Sequence, residues 1–245
     1  MNDPVAVFRA LHHGRPADDP LVLPGPWDAA SARVFEEAGF PALATPSAGV
    51  AAALGYADGQ TPAAEMFAAV ARITAAVSVP VSADVEAGYG LSPAELVERL
   101  LEAGAVGCNL EDSVDGTLLD PREQADRLAE VCAAADGRLF VNARVDTYLT
   151  ALPEGTDVVE ETLTRAGLYA AAGADCVYPI TAPADDLPRL SAGVPVPLNA
   201  NGTPDDPACA RRLGELGAAR ITFGPLLQLR ATDAVRDLAK RLLTA

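Results

Sequence analysis

Short apolar segments alternate along the chain with longer segments that are rich in Ala, Leu, Glu and Arg. An apolar run bounded by turn residues is typical of a buried β-strand, and a longer run with one polar face is typical of an α-helix. The pattern predicts strands at 21–24, 42–46, 79–84, 107–111, 139–144, 176–180, 196–199 and 220–223. It predicts helices at 29–38, 63–77, 93–103, 121–135, 158–172, 185–191, 207–216 and 226–243.

Local start and stop signals support this division. In the segment LSPAELVERLLEAG, Ser92 can cap a helix, Pro93 suits its first position, and Gly104 follows its end. The same junction of a helix end, a glycine and an apolar strand recurs at Gly39, Gly104, Gly173 and Gly217.

Eight βα units without a linker or low-complexity break predict an α/β protein with a (β/α)₈ TIM barrel, as a single domain over residues 1–245. A doubly wound open sheet is the main alternative. That fold normally carries a glycine-rich phosphate turn after its first strand, and the segment LPGPWDAAS lacks the GxGxxG pattern. The barrel is therefore favoured.

Composition narrows the classes of partner. The formal net charge of −16 disfavours binding to nucleic acid or to an anionic membrane surface. No apolar run approaches the roughly 18–20 residues of a membrane span, and the N-terminal segment has no signal-peptide pattern. We expect no nucleic-acid partner, no membrane partner and a cytoplasmic location.

The residues of common nucleophilic and zinc sites are absent or scattered. The four cysteines have no CxxC spacing, which favours reduced thiols. Both histidines, His12 and His13, lie in the N-terminal segment. This argues against a Ser-His-Asp triad, a Cys-His pair or a histidine zinc site in the body of the chain.

Carboxylates follow two neighbouring predicted strands. Asp84 and Glu86 end the third strand and share a face, and Glu111 ends the fourth. Neighbouring strands lie ~4.8 Å apart, so the three carboxylates could converge and repel one another. A divalent cation with oxygen ligands, Mg²⁺ or alternatively Mn²⁺, would relieve that repulsion. An ordinary solvated strand end is the alternative interpretation.

Other polar residues fall at the same end of the predicted barrel. Arg144 ends the fifth strand, where it could bind a substrate carboxylate or pair with Glu111 as a structural ion pair. Ser47 and Asp58 follow the second strand, where a loop cap or a turn is the alternative role. The active site of a (β/α)₈ barrel lies at this end, which favours a shared function.

At these residues the sequence resembles the isocitrate lyase/phosphoenolpyruvate mutase superfamily. The resemblance rests on the segments TPSAGVAAALGYADG, SADVEAGYG, GCNLEDS and NARVDTYL, which occur in the family's order. It implies a (β/α)₈ barrel that assembles as a homo-dimer or homo-tetramer, with the last helix on a partner subunit. It also implies a small carboxylic acid as substrate and chemistry through the enolate of a 2-oxo acid.

The resemblance assigns roles residue by residue. Asp84 is similar to the direct Mg²⁺ ligand of the family, and Glu86, Glu111 and Asp58 are similar to acids that hold the waters of the ion. Substrate binding is implied for Ser47, Gly49, Asp84, Arg144 and Asn199. Metal binding is implied for Asp84, Glu86 and Glu111, and catalytic roles are implied for Asp58, Glu111 and Arg144.

The chain departs from the family after the fourth strand. Family lyases carry a Lys-Lys-Cys-Gly-His loop there, and the phosphonate enzymes carry Lys and Asn. Here the chain contains no Cys, Lys, His or Asn between Glu111 and Gln124. Decarboxylation of an oxaloacetate-like acid requires less of that loop, with Tyr56, Tyr89 or a metal-bound water as the candidate proton donor.

Three functional hypotheses follow. The first is a Mg²⁺-dependent lyase that cleaves a C–C bond of a small 2-oxo or 2-hydroxy carboxylic acid. The second is C–P bond chemistry on a phosphonopyruvate-like acid. The third is a non-catalytic protein that binds Mg²⁺ and a 2-oxo acid.

Overall fold

Ten strands organise the structure, a computed structural model that describes residues 3–244. They are β1 (Leu21–Val22), β2 (Leu43–Ala44), β3 (Val81–Asp84), β4 (Gly107–Glu111), β5 (Ser113–Val114), β6 (Thr117–Leu118), β7 (Phe140–Val145), β8 (Cys176–Pro179), β9 (Asn199–Asn201) and β10 (Arg220–Thr222). The strands β5 and β6 form an antiparallel hairpin, and the others are parallel to their neighbours.

The parallel strands close into a barrel. They form two hydrogen-bonded sets, β1-β10-β9 and β2-β3-β4-β7-β8. Ala44 N donates to Pro24 O at 3.2 Å, which joins β2 to the end of β1. Val177 N donates to Pro197 O at 3.0 Å, which joins β8 to the start of β9. The architecture confirms the predicted single-domain (β/α)₈ barrel.

Helices occupy the segments between the strands. Within residues 3–244 they are α1 (Pro4–Leu11), α2 (Ala29–Glu37), α3 (Ser47–Leu54), α4 (Ala63–Thr74), α5 (Pro93–Glu102), α6 (Pro121–Ala135), α7 (Val158–Ala171), α8 (Leu187–Gly193), α9 (Cys209–Glu215) and α10 (Leu226–Leu243). None of these helices has the length and the apolar composition that crossing a membrane requires.

The start of α5 follows the signals in its sequence. Ser92 Oγ accepts from Glu95 N, and the Glu95 carboxylate accepts from Ser92 N, which makes a capping box with Pro93 in the first turn. Leu96 and Leu100 on the inner face of α5 are fully buried. The helix is therefore held by its cap at one end and by its apolar face along its length.

Two helices were not predicted. The first, α1, covers the N-terminal end of the barrel, where Phe8 meets Phe140 edge to face with ring centroids 5.2 Å apart. The second, α3, follows β2 directly and ends at Gly55, whose φ of 89° is a left-handed helix stop. The strand predicted at 196–199 corresponds to β9, which begins at Asn199 and ends at Asn201.

Gly107 lies where two strands approach too closely for a side chain. A Cβ atom on this residue of β4 would lie 2.6 Å from the backbone oxygen of Phe140 on β7. That oxygen cannot move aside easily, because Gly107 and Phe140 are paired in the ladder between these strands. The barrel therefore requires glycine at this position.

We expect Gly107→Ala to lower the free energy of unfolding by about 1–3 kcal/mol, the usual cost of overpacking. Gly167→Ala on α7 is the matched control, because no atom lies within 4 Å of the added Cβ. Alanine in place of a mid-helix glycine should raise the stability by roughly 0.5–1 kcal/mol. Urea denaturation measures both, and an unchanged midpoint for Gly107→Ala would contradict the tight approach.

Candidate active site

A cavity of about 760 Å³ lies at the end of the barrel where the parallel strands finish. Asp84 of β3, Glu111 of β4 and Arg144 of β7 line it from strand ends. Active sites of (β/α)₈ barrels lie at this end. Further charged and polar residues that line the cavity are Ser47, Asp58, Gln60, Glu86, Tyr89, Ser113, Asp115, Arg127, Asp146 and Thr150.

Asp84 is held in place by the start of α3. Its Oδ2 accepts from Ser47 Oγ at 2.8 Å and from Ser47 N at 3.2 Å, and its backbone N donates to Thr45 Oγ1. Its Oδ1 accepts one long hydrogen bond of 3.4 Å, from Glu86 N. One oxygen of Asp84 is thus fixed by protein donors, and the other is weakly engaged.

Glu86 and Tyr89 lie in the turn after β3 with left-handed backbones, φ 50° and 53°. Such φ values are unusual for these residue types and occur often at functional sites. Glu86 Oε1 and the Tyr89 hydroxyl are buried and have no hydrogen-bond partner within residues 3–244. Burial raises the pKa of Glu86 to about 7, with further contributions from Asp84 and Asp58. Burial also raises the pKa of Tyr89.

The guanidinium of Arg144 lies between the carboxylates of Asp146 and Glu111. Its Nε donates to Asp146 Oδ1 at 2.7 Å, and its Nη2 donates to Asp146 Oδ2 at 2.8 Å. The same Nη2 lies 2.5 Å from Glu111 Oε2. Burial opposes the charge of Arg144, but these carboxylates outweigh it and raise its pKa. Within residues 3–244, Nη1 has no partner and remains for a ligand.

Glu111 has a raised pKa despite its contact with Arg144. Burial is the largest cause, and Asp84, Asp146 and Glu86 add to it, so that the pKa rises to about 8. The cavity therefore holds more negative charge than Arg144 can compensate. A protonated carboxyl group or a bound cation would restore the balance.

A second layer of contacts ties the β5–β6 hairpin to the barrel. Asp146 Oδ2 accepts from Ser113 Oγ at 2.6 Å, and Asp146 N donates to Asp112 Oδ1 at 2.8 Å. The other oxygen of Asp112 accepts from Arg165 at 3.0 Å and from Tyr169 at 2.7 Å, both on α7. The segment after β4 is thus a short hairpin, anchored by a network that reaches the outer helices.

The structure does not bring every predicted site residue to the cavity. Asn199 is fully buried in a polar layer inside the barrel, where it accepts from Asn142 and donates to Thr222. The position of Asn199 therefore gives no support to the prediction that it binds substrate. Tyr56 donates to Glu65 at an exposed site and does not line the cavity, so it is poorly placed as a proton donor.

Gly49 lies in the first turn of α3 and does not line the cavity. A Cβ atom on Gly49 would lie 2.9 Å from Pro46 and 3.4 Å from Gln228. The residue is thus a close contact between α3 and its neighbours. If Gly49 binds substrate as predicted, it must do so through its backbone N–H. This N–H lies in the first helical turn and has no acceptor within the helix.

The acids suit a divalent cation through their chemistry rather than through a preformed cage. Within residues 3–244, no three Asp, Glu, His or Cys side chains are close enough to hold one ion together. The prediction that Asp84, Glu86 and Glu111 all bind the ion directly is therefore not supported. A Mg²⁺ site normally uses one or two carboxylates and retained waters, and the unpartnered oxygen of buried Glu86 fits such a site.

Sequence reasoning missed Asp146 and Arg127. Asp146 lies two residues after Arg144, so the alternation of side chains along a strand already places both on one face. Arg127 lines the cavity from α6, and no strand-end pattern points to it. Its signal lies only in the helical face that it shares with buried Gln124 and Leu128.

Comparison with known proteins gives the family. Residues 8–243 match the family model described as phosphoenolpyruvate phosphomutase. The chain belongs to this family, which confirms the predicted isocitrate lyase/phosphoenolpyruvate mutase superfamily.

Three relatives illustrate its range. An uncharacterised protein of Mycobacterium tuberculosis is 35% identical over 89% of this chain and 81% of its own. The 2-methylisocitrate lyase of Escherichia coli is 30% identical over 97% of this chain and 83% of its own. A solved structure from Burkholderia cenocepacia, provisionally named a phosphonomutase, is 41% identical with a TM-score of 0.88. The match covers 98% of this chain and 100% of that protein's chain. The superfamily contains both lyases and mutases, and its members are enzymes.

The raised pKa values of Glu86 and Glu111 predict a stability that falls with rising pH when no metal is bound. Both groups titrate near 4.5 in an unfolded chain and near 7 and 8 here, so the folded state binds more protons between these values. Their contribution is present below about pH 4.5 and is lost as the pH rises through 7 to 8.

We expect the melting temperature of the metal-free protein to fall between about pH 5 and pH 8.5. The variant Glu86→Gln/Glu111→Gln should reduce that fall, and Glu98→Gln on the exposed face of α5 should leave it unchanged. Melting curves in chelator at several pH values test this. A fall of equal size in all three proteins would assign it to the overall negative charge instead.

Proposed function

We propose that this protein is a Mg²⁺-dependent lyase that cleaves a C–C bond of a small 2-oxo or 2-hydroxy carboxylic acid through an enolate. One observation carries the proposal: the unpartnered Nη1 of Arg144 lies in the same cavity as an excess of buried carboxylates. A bound cation would compensate the carboxylates, and an anionic substrate would accept a hydrogen bond from Nη1.

Asp84 and Glu86 would hold the ion, Mg²⁺ or alternatively Mn²⁺, with Glu111 and Asp58 as further acids in the same cavity. When bound, the ion would supply positive charge where the enolate oxygen develops. Ser47 keeps Asp84 oriented for this role through its two hydrogen bonds.

Arg144 would bind the carboxylate of the substrate. Asp146 fixes the plane of the guanidinium, so Nη1 is presented in one orientation at no cost when the substrate arrives. The first turn of α3 would add backbone N–H groups from Ala48 and Gly49, since the start of a helix favours anions. These donors together would stabilise the negative charge of the transition state.

The hairpin after β4 favours loss of CO₂, as one form of C–C cleavage, over the family's other C–C and C–P cleavages. Its residues include no Lys, Cys, His or Asn, the side chains that the family's other reactions place there. Loss of CO₂ from an oxaloacetate-like acid requires no base on this segment. Tyr89 would then donate its hydroxyl proton to the enolate carbon, and water in the cavity would return a proton to the tyrosinate; within residues 3–244 this hydroxyl has no hydrogen-bond partner, and Tyr89 lines the cavity.

C–P bond chemistry is the alternative within the same site. The name of the family model and that of the Burkholderia cenocepacia relative favour it. A protein that binds Mg²⁺ and a 2-oxo acid without turnover is the third possibility, favoured by the missing loop residues.

We also propose a homo-dimer or homo-tetramer, since α10 exposes Leu229, Val235, Leu238 and Leu242. A cytoplasmic location stays a prediction.

Turnover by NMR, with and without Mg²⁺, over oxaloacetate, methylated and hydroxylated malates, isocitrates and phosphonopyruvate tests the proposal. We expect Mg²⁺-dependent cleavage of a C–C bond in one of them. Phosphate release or isomerisation from phosphonopyruvate would select the C–P alternative. Tight Mg²⁺-dependent binding of oxalate without any turnover would select the binding protein.

Asp84→Asn should reduce Mg²⁺-dependent turnover by at least roughly 10²-fold, since even indirect metal partners contribute 10–100-fold. The melting temperature should change little, because the amide keeps an oxygen for the Ser47 donors. Asp126→Asn on the exposed face of α6 is the control for loss of one charge. Full activity in Asp84→Asn would refute the assignment of the metal site.

A further inference from the structure

The cavity contains two cations with different surroundings. Arg144 is neutralised by Glu111 and Asp146. Arg127 of α6 also lines the cavity, but within residues 3–244 it forms no ion pair and no side-chain hydrogen bond. Most of the other arginines without an ion pair, such as Arg122, are exposed, whereas Arg127 is half-buried.

Arg127 lies close to the turn after β3. A Cβ atom on Gly88 would be 2.6 Å from Arg127 Nη2, so the guanidinium occupies the space that a side chain would take. The same Cβ position is 3.2 Å from Leu96 and 3.4 Å from Leu110, which makes the surroundings partly apolar. Burial accordingly lowers the pKa of Arg127.

A partly desolvated guanidinium that lacks a partner is costly for the folded protein. The cost is offset if an anion enters the cavity and accepts hydrogen bonds from it. Arginine suits this role because its planar donors match a carboxylate or a phosphonate in two places at once.

We propose that Arg127 binds the second anionic group of the substrate, the one distal to the 2-oxo acid end. This inference rests on the proposed function, in which Arg144 binds the first carboxylate. Arg127 thus determines specificity: it selects acids that carry a distal carboxylate or phosphonate over simple monocarboxylic acids. The hairpin turn at Val114, Asp115 and Gly116 also lines the cavity.

Three ligands that share one 2-oxo acid end test the role of Arg127. Pyruvate has no distal anion, 3,3-difluorooxaloacetate has a distal carboxylate, and phosphonopyruvate has a distal phosphonate. Dissociation constants from calorimetry in Mg²⁺ are compared for wild type, Arg127→Gln and Arg127→Lys. Arg122→Gln is the matched control, because Arg122 lies on the same helix but is exposed.

We expect Arg127→Gln to weaken binding of a distal-anion ligand by roughly 10- to 100-fold, the factor for one lost charge-assisted hydrogen bond. The dissociation constant of Arg127→Gln for pyruvate should lie within about twofold of the wild-type value. Arg127→Lys should recover part of the affinity that Arg127→Gln loses for the distal-anion ligands. Arg122→Gln should bind all three like wild type. A loss for the carboxylate alone or the phosphonate alone would identify which group Arg127 recognises.

The failures of the two proposals are distinguishable. If wild type binds none of the three ligands in Mg²⁺, the proposed function fails. If wild type binds them but Arg127→Gln changes none of the affinities, or weakens pyruvate equally, Arg127 does not read a distal anion and this inference alone is overturned. Unchanged melting temperatures exclude misfolding as the cause of a loss.

Discussion

The candidate site depends on the pairing of Arg144 with Asp146. Both oxygens of Asp146 accept from this guanidinium, and Asp146 also accepts from Ser113 at the base of the hairpin. Its backbone N–H binds Asp112, which in turn holds Arg165 of α7. Asp146 therefore orients the cation in the cavity, holds the first residue of the hairpin and, through its N–H, connects both to the outer layer of helices. Buried ion pairs are stabilising only when further hydrogen bonds satisfy them, and here they do.

Beneath this pair, the interior of the barrel is polar but mostly neutral. Asn142 donates to Asn109 at 2.8 Å and to Asn199 at 3.1 Å, and Arg220 donates to Asn109 at 3.2 Å. These amides add polar groups without adding negative charge, although Asn142 Oδ1 and the Nε and Nη1 atoms of Arg220 are buried without a partner within residues 3–244. Arg220 is fully buried, and its charge interacts with Asp84 above it. The floor of the site thus places one positive charge beneath the carboxylates.

The sequence predicted the barrel well because apolar strands and capped helices are local features. The pattern for α3 fails for a physical reason: SAGVAAAL has no polar face, so its periodicity resembles that of a buried loop or strand. Asp84, Glu111 and Arg144 lie in the cavity because strand ends meet there. Asn199 and Gly49 do not line it, since which hydrogen bonds and contacts a buried residue makes depends on partners far away in the sequence.

Ser47 lies near the site as predicted, but the sequence did not show which group it contacts. The family resemblance implied that it binds substrate, but its hydroxyl and its N–H both donate to Asp84, a residue 37 positions away. Position along a strand end indicates that a residue is near the site, and it does not indicate whether that residue contacts ligand or another side chain. That distinction follows from competition between acceptors, which only the folded arrangement decides.

The hairpin after β4 changes what the rest of the site must provide. Asp115 and Gly116 both have positive φ values, 50° and 74°, which is the geometry of a tight two-residue turn between antiparallel strands. Leu119, which follows the second strand of the hairpin, donates its N–H to Asp112 O and accepts from Arg165 through its own carbonyl oxygen. The hairpin is therefore held at the point where the chain leaves it as well as where the chain enters it. A segment held at both ends and without Lys, Cys, His or Asn would, in the proposed reaction, leave proton transfer and recognition of the distal group to residues on the barrel and on α6. Within residues 3–244 the Tyr89 hydroxyl has no hydrogen-bond partner and Arg127 has no ion pair, so these two cavity side chains are the candidates for those tasks.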